Sequence, residues 1–366
     1  MSMQVERDLL RLVLINPGTV ASLSTAEWEL LIRQARWTGL LPRLQVLLSE
    51  GGRLETVPEG ARNHLNSARA IADHEEKVIR WEVNRIRRAL TLTSVPVILL
   101  KGAAYVFAEL PLAKGRLSSD VDIMVPREQF EIVEQALMRH GWEHVKLDEY
   151  DQRYYRTWTH ELPPLRHRER KTVIDVHHTI LPVTSRLRPD PLKLWESARD
   201  VDGPMLKVLA PADMLLHSAA HVFQDGALER GLRDLVDLDA LFRHLGSQHG
   251  FWKGLIKRAD ELGLSRPLAY ALRYSRRYLN TPVPDFVLAA SQRWVGGWHL
   301  VMDRLVRLAV MPNPANKPAP GQSLARWLLY VRSHWLRMPP GLLARHLLRK
   351  SLLHWIPQRP GRAAGV

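Results

Sequence analysis

Cysteine is absent from all 366 residues. That excludes disulfides and thiolate zinc sites, and nothing argues for an oxidising compartment. No apolar run approaches the roughly 20 residues that a membrane-spanning helix needs. The opening stretch, Met1 to Leu12, lacks a basic segment followed by an apolar core, so no secretory signal is expected there. Internal repeats and low-complexity tracts are missing as well. Acidic residues are missing from one region only: none follows Asp303. These absences together lead us to expect a cytoplasmic protein, with peripheral contact at the inner membrane face as a further expectation from its basic end.

What is present is ordinary in bulk and uneven in distribution. Hydrophobic residues make up 46% and charged residues 25%, as in a folded soluble protein with room for two domains. The formal charge is +14, and the eleven basic residues between Arg304 and Arg362 supply most of it.

The patterning predicts an α+β fold, with a small mixed sheet between N-terminal and C-terminal helical regions. Boundaries are expected at 1–92, 93–185, 186–310 and 311–366. In the first region Ser24 and Glu27 have capping-box spacing, and Trp28, Leu31, Ile32 and Ala35 recur at helical intervals. A long helix is expected from Glu59 to Leu92, with Glu75, Glu76 and Lys77 on its wet face. The second region alternates. Val95 to Leu100 reads as a strand, and Glu128 to His140 as a helix ended by Gly141, with Phe130, Ile132, Val133 and Leu137 inward. Trp142 to Leu147, Tyr154 to His160 and Thr172 to Ile180 read as further strands, and Arg166 to Lys171 as a solvated turn. The third region is helical again. His217 and His221 are four apart on one helical face, a spacing that serves either a transition metal or ordinary packing.

The chemistry concentrates in two stretches, Ser94 to Val125 and Lys171 to Ile180. Asp120 and Asp122 flank Val121 at the start of a strand-like run. Alternate side chains of a strand share a face, so the two carboxylates point the same way, about 7 Å apart along the chain. Like charges so arranged repel unless a cation sits between them. Asp175, between Ile174 and Val176 on a separate expected strand, can close such a site from the side. Oxygen-only ligands suit Mg2+ or Mn2+, and a carboxylate trio can hold the ions of an in-line phosphoryl transfer. Lys101 before Gly102 reads either as a surface lysine closing a strand or as a phosphate contact, and Arg116 likewise. Ser118 and Ser119 read first as turn residues. His177 shares the face of Asp175, whereas His178 points away. His177 therefore either orients a carboxylate or phosphate, or fills an ordinary place.

The residues Leu100-Lys101-Gly102, Arg116, Ser119 to Ile123 and Ile174 to His177 resemble the nucleotidyltransferase superfamily of DNA polymerase beta type. Within it they are closest to the bacterial branch labelled an uncharacterised nucleotidyltransferase family, found among polysaccharide and peptide biosynthesis genes. The resemblance covers the chain up to about Leu245. It implies that Asp120, Asp122 and Asp175 are the metal-binding and catalytic carboxylates. It implies that Lys101, Gly102, Arg116 and Ser119 meet the nucleotide, with Gly102 letting the triphosphate approach the backbone. The partners implied are an NTP and an acceptor of unknown nature. The superfamily's usual glycine-serine pair reads Gly102-Ala103 here. The resemblance also implies that His221 and Asp234 line the cleft, although helix-to-helix pairing explains them equally well. A non-catalytic binding or scaffold module of a biosynthetic complex, docked on a membrane surface, is the alternative reading.

The basic end mixes arginines with Trp327, Leu328, Val331, Trp335, Leu342, Leu347, Leu352 and Trp355, after a proline-rich linker from Met311 to Gly321. Three uses fit that composition: an amphipathic helix pair on an anionic membrane, contact with nucleic-acid phosphates, or a cover for the protein's own core. The density of large apolar residues favours the membrane, and no base-stacking platform favours nucleic acid.

Overall fold

The computed structural model describes residues 3–145, 158–225, 228, 231–312 and 319–341. Helices α1 (Met3–Ile15), α2 (Thr25–Trp37), α3 (Leu41–Glu50) and α4 (Glu59–Leu90) form the N-terminal part. The expected capping box is formed. Ser24 Oγ accepts the Glu27 N–H, and the Glu27 carboxylate accepts the Ser24 N–H at 2.8 Å. The buried stripe of α4 runs Leu65, Ala72, Ile79, Val83, Ile86 and Leu90, a helical spacing that turns one face to the core.

Two charges on α4 behave differently from expectation. Glu75, expected on the wet face, accepts the Ser118 N–H at 2.8 Å. Glu82 is 2% exposed and takes both ends of the Arg170 guanidinium, at 2.7 and 3.0 Å. The Arg166–Lys171 turn is therefore tied down instead of merely solvated. Arg170 also lies over the rings of Trp142 and Trp81, at 4.8 and 5.2 Å, so its charge is neutralised and its flat faces are covered.

The described strands are β1 (Val97–Leu99), β2 (Asp120–Met124), β3 (Trp142–His144), β4 (Leu165–His167), β5 (Val173–His177), β6 (Arg199–Asp200) and β7 (Leu206–Val208). They make one mixed sheet in the order β3-β4-β5-β2-β1-β7-β6. The fold is thus α+β, with helical regions on either side of the sheet in sequence. Strand β1 is apolar and wholly buried, as a central strand covered on both faces must be. It pairs antiparallel with β2 and parallel with β7, so residues 199–208, beyond the stretch assigned to the core, widen the sheet. Helix α5 (Lys101–Phe107) follows β1 directly, and α6 (Phe130–Arg139) follows β2.

Three expectations about this region change. Ile132 is 48% exposed, not inward; its place toward the sheet goes to Glu134, whose carboxylate meets His144 Nε2 at 2.6 Å. The strand expected at Tyr154–His160 is not formed at 158–160, and 154–157 lie outside the described residues. Pairing begins instead where the His160 carbonyl accepts the His178 N–H and Glu161 opposes His177. Strand β3 ends at His144, and 146–147 lie outside the described residues.

The C-terminal part comprises α7 (Pro191–Ser197), α8 (Pro211–Ala220), a π turn at His221–Asp225, α9 (Gly231–Gly246), α10 (Phe251–Glu261), α11 (Ser265–Leu279), α12 (Asp285–Gln292), α13 (His299–Val310) and α14 (Gln322–Arg337). Helix α14 returns to the body of the molecule. Arg332 donates to the Phe223 carbonyl at 2.8 Å, the Arg186 N–H to the Leu336 carbonyl at 3.1 Å, and Thr184 Oγ1 to the Arg337 carbonyl at 2.7 Å. Its inner face, with Ala325, Leu329, Ser333 and Leu336, is buried. Its outer face, with Leu324, Trp327, Leu328, Val331 and Trp335, is exposed. The first half of the expected amphipathic pair therefore covers the protein's own core on one side. The second half, from Leu342, lies outside the described residues. Among those described, no helix is long and apolar enough to cross a membrane.

Candidate active site

The site grows from the junction of β1 and α5. The Leu100 N–H donates to the Asp122 carbonyl at 2.9 Å, which locks the end of β1 onto β2. Lys101 then turns the chain with φ of +46°. A non-glycine residue in that region is strained by roughly 1–2 kcal/mol. What holds a lysine there is its side chain: Nζ lies 2.7 Å from Asp122 Oδ1. The same oxygen receives His177 Nε2 at 3.1 Å. Asp122 is only 4% exposed. Burial alone would raise its pKa, but Lys101 and His177 outweigh burial and hold the carboxyl well below its usual range. Lys101 is half-buried, and Asp122, Asp120 and Asp175 hold its ammonium above its ordinary value against the cost of desolvation.

Strand pairing brings the three aspartates together. In the parallel ladder between β2 and β5, Asp122 is the register partner of Asp175. Paired residues on adjacent strands share a face and stand about 4.8 Å apart. Asp120, two residues earlier, is on that same face and exposed where the strand begins. Asp175 shows the crowding: burial first, then the charge of Asp122, pushes its carboxyl up to about 7, with Glu161 and Asp120 adding to the shift. One face of two strands thus carries three carboxylates, and the charge of Asp122 opposes the ionisation of Asp175. The donors are hard oxygens, the type that Mg2+ or Mn2+ takes, and the Lys101 ammonium on Asp122 is the cation already beside them.

The loop into β2 is anchored from three helices. Arg116 Nε lies 2.8 Å from Asp237 Oδ2 on α9, its guanidinium donates to Ser118 Oγ, and it sits 5.3 Å over the Tyr105 ring. Arg233 donates to the Leu117 carbonyl, and Glu75 holds the Ser118 N–H. Gly102 is needed for this closure. A Cβ there would stand 2.6 Å from Ser118 Oγ and 2.8 Å from Arg116 Nη1. Ser119 is exposed beside Asp120. Of the expected nucleotide contacts, Lys101 thus faces the carboxylates, Arg116 is engaged by Asp237, and Gly102 accommodates the Arg116–Ser118 pair.

Asp237 was not singled out by sequence reasoning. The usable signal is the run Arg233, Asp237, Leu241 at intervals of four, which puts that acid on the buried face of α9.

Beside the aspartates lies a cavity of about 170 Å³, lined by Lys101, His160, Glu161, His177, His217 and His221, with Arg337 and Met338 from the end of α14. His221 reaches this lining; among the described lining residues Asp234 does not, although its charge is felt by Arg116. The segment before β4 makes the histidine cluster. Leu165 pairs with Ile174, but Glu161 pairs with His177, so the register slips by one residue across Pro163-Pro164. Proline cannot donate to a ladder, and such slips concentrate where it stands. Directly opposed residues share a face, so the slip sets Glu161 beside His177, with Oε2 3.4 Å from Nδ1. The His160 and His177 rings stand 5.0 Å apart. Burial, then the neighbouring cations His177 and Lys101, keeps His160 neutral, and burial and Lys101 do the same for His217. His177 differs: Asp122 and Glu161 overcome burial and raise its pKa. His178 faces the other side, edge-on to Phe130 at 5.4 Å.

The sequence model of a family described as uncharacterised nucleotidyltransferase matches residues 24–280. The chain belongs to that family. The matched span includes every aspartate and histidine of the cleft and leaves α12, α13 and α14 outside it. Membership supports nucleotidyl transfer as the general kind of activity and an NTP as the substrate class. Comparison with curated proteins and with solved structures gives no match.

Proposed function

We propose that the chain transfers a nucleoside monophosphate from an NTP to an acceptor hydroxyl, releasing pyrophosphate. The observation that supports this most is the register of Asp122 against Asp175, with Asp120 on the same face. These three residues would hold Mg2+ or Mn2+, which when bound polarises the phosphate under attack and neutralises the leaving pyrophosphate. The acceptor oxygen bonds to the α-phosphorus, the bond to the β-phosphate oxygen breaks, and Asp175 takes the proton of the hydroxyl. Lys101, fixed on Asp122, supplies positive charge that does not depend on ion binding. Gly102 and Arg116 position the turn that carries Ser119 and Asp120. The test is pyrophosphate release and Mg2+-dependent NTP binding, before and after Asp120→Asn with Asp175→Asn. Unchanged release and binding would leave only the scaffold reading.

A second reading concerns location and has its own observation. On α14, Leu324, Trp327, Leu328, Val331 and Trp335 form an exposed stripe at helical spacing, and on α13 Leu300 is 70% exposed with Trp298 beside it. The α14 stripe lies in the stretch without acidic residues that follows Asp303, and large apolar side chains so exposed fit the surface of an anionic membrane. Flotation with vesicles containing anionic lipid is the test, comparing the protein with Trp327→Ser and Trp335→Ser. Equal binding by both would remove this reading.

A further inference from the structure

We infer that His160, Glu161 and His177 form a second cation site, built for a transition-metal dication of the Zn2+ kind and separate from the aspartate cluster. The inference does not depend on nucleotidyl transfer. One donor atom from each residue lies within 4.8 Å of the others. Ligands of tetrahedral Zn2+ stand about 2.0–2.2 Å from the ion, so their donor atoms are roughly 3–4 Å apart. His177 Nδ1 and Glu161 Oε2 already stand 3.4 Å apart.

The ring nitrogens give an independent reason. His160 and His177 are 8% and 3% exposed, and Nδ1 of each is buried without a hydrogen-bond partner. Such atoms are destabilising unless something meets them. Both rings line the same cavity. For His177 the other nitrogen is already used: Nε2 bonds to Asp122, so Nδ1 is the nitrogen left to face Glu161 and the cavity. A carboxylate behind a metal-bound imidazole is the usual second layer of such sites. Two imidazole nitrogens and one carboxylate oxygen select Zn2+ over Mg2+, which prefers oxygen alone. Three protein ligands leave a further coordination position on the cavity that His217 and His221 also line, the pattern of a working site more than of a structural one. The competing arrangement is a proton on Nδ1 shared with Glu161, and it makes the opposite prediction for metal binding.

The experiment is calorimetric titration of the metal-stripped, full-length protein with Zn2+ in saturating Mg2+, with Co2+ as a visible-spectrum probe of the same position. One equivalent of Zn2+ is expected to bind and to resist Mg2+. Glu161→Gln, which keeps the side chain's shape, weakens it at least about tenfold, and His160→Ala does the same. Asp120→Asn leaves it unchanged. Far-UV circular dichroism checks that each variant is folded, and Glu161→Gln decides the matter if His160→Ala does not fold. The proposal is overturned if no equivalent is retained. It is also overturned if the bound ion survives Glu161→Gln or is lost with Asp120→Asn, since the ion then sits elsewhere.

Discussion

The cleft and the outer face of α14 depart from the common inside-outside arrangement in opposite directions. The cleft buries Asp122, His160, His177 and His217; the helix exposes Trp327 and Trp335 at 58% and 44%. In the cleft the charges answer one another: Lys101 with Asp122, Asp122 with His177, Arg116 with Asp237. On α14 the outer stripe stays largely exposed, with the Arg186 guanidinium 4.5 Å from the Trp335 ring centre. Buried polar groups and exposed apolar stripes are the two informative exceptions to hydrophobic burial. The cleft belongs to the span shared with the family, whereas the stripe lies beyond residue 280. One helix nevertheless belongs to both, because α14 ends in Arg337 and Met338 at the cavity. The difference separates a polar cleft inside the span matched by the family from an apolar surface outside it.

The contrast can be broken at several points, and the largest expected effect is on turnover. Asp120→Asn with Asp175→Asn should reduce pyrophosphate release about a thousandfold, because the charge that would hold the ion is removed. Folding should be retained, since Asp120 is exposed and Asp175 gains relief from like-charge crowding. Next is Asp237→Asn, which leaves the Arg116 guanidinium buried without its carboxylate. Urea unfolding should show a loss of about 3–5 kcal/mol. Gly102→Ala should cost less, about 1–3 kcal/mol in the same measurement, as the new methyl displaces Ser118 and Arg116. Smallest is Trp327→Ser on α14, which should change stability by no more than about 0.5 kcal/mol while reducing flotation with anionic vesicles. A large stability loss there would mean that the stripe is core, and the contrast would fail.

Much of this was legible before any coordinates. The i, i+2 aspartates on one strand face follow from strand geometry, and so does the assignment of His177 to the side of Asp175. The capping box at Ser24 and the helix over 59–90 follow from local rules. What could not be read is what depends on distant register. Whether Asp175 opposes Asp122 or Asp120 is set by how β5 pairs with β2, and nothing local to either strand fixes it. The slip across Pro163-Pro164, which brings Glu161 to His177 and not to His178, is of the same kind. Arg116 pairs with a residue 121 positions away, a partner that nothing local to Arg116 announces. The return of α14 to Thr184 and Arg186 is likewise a long-range packing choice that composition alone left open.

The central claim is that Asp120, Asp122 and Asp175 gather around a divalent ion that an NTP shares. Mn2+ binding followed by electron paramagnetic resonance tests it most directly, with Zn2+ present to fill any histidine site. The account predicts that an NTP tightens Mn2+ binding to the native protein, and that Asp175→Asn abolishes this tightening without unfolding the chain. Mn2+ bound equally well by the native and Asp175→Asn proteins, with no response to NTP, would contradict it.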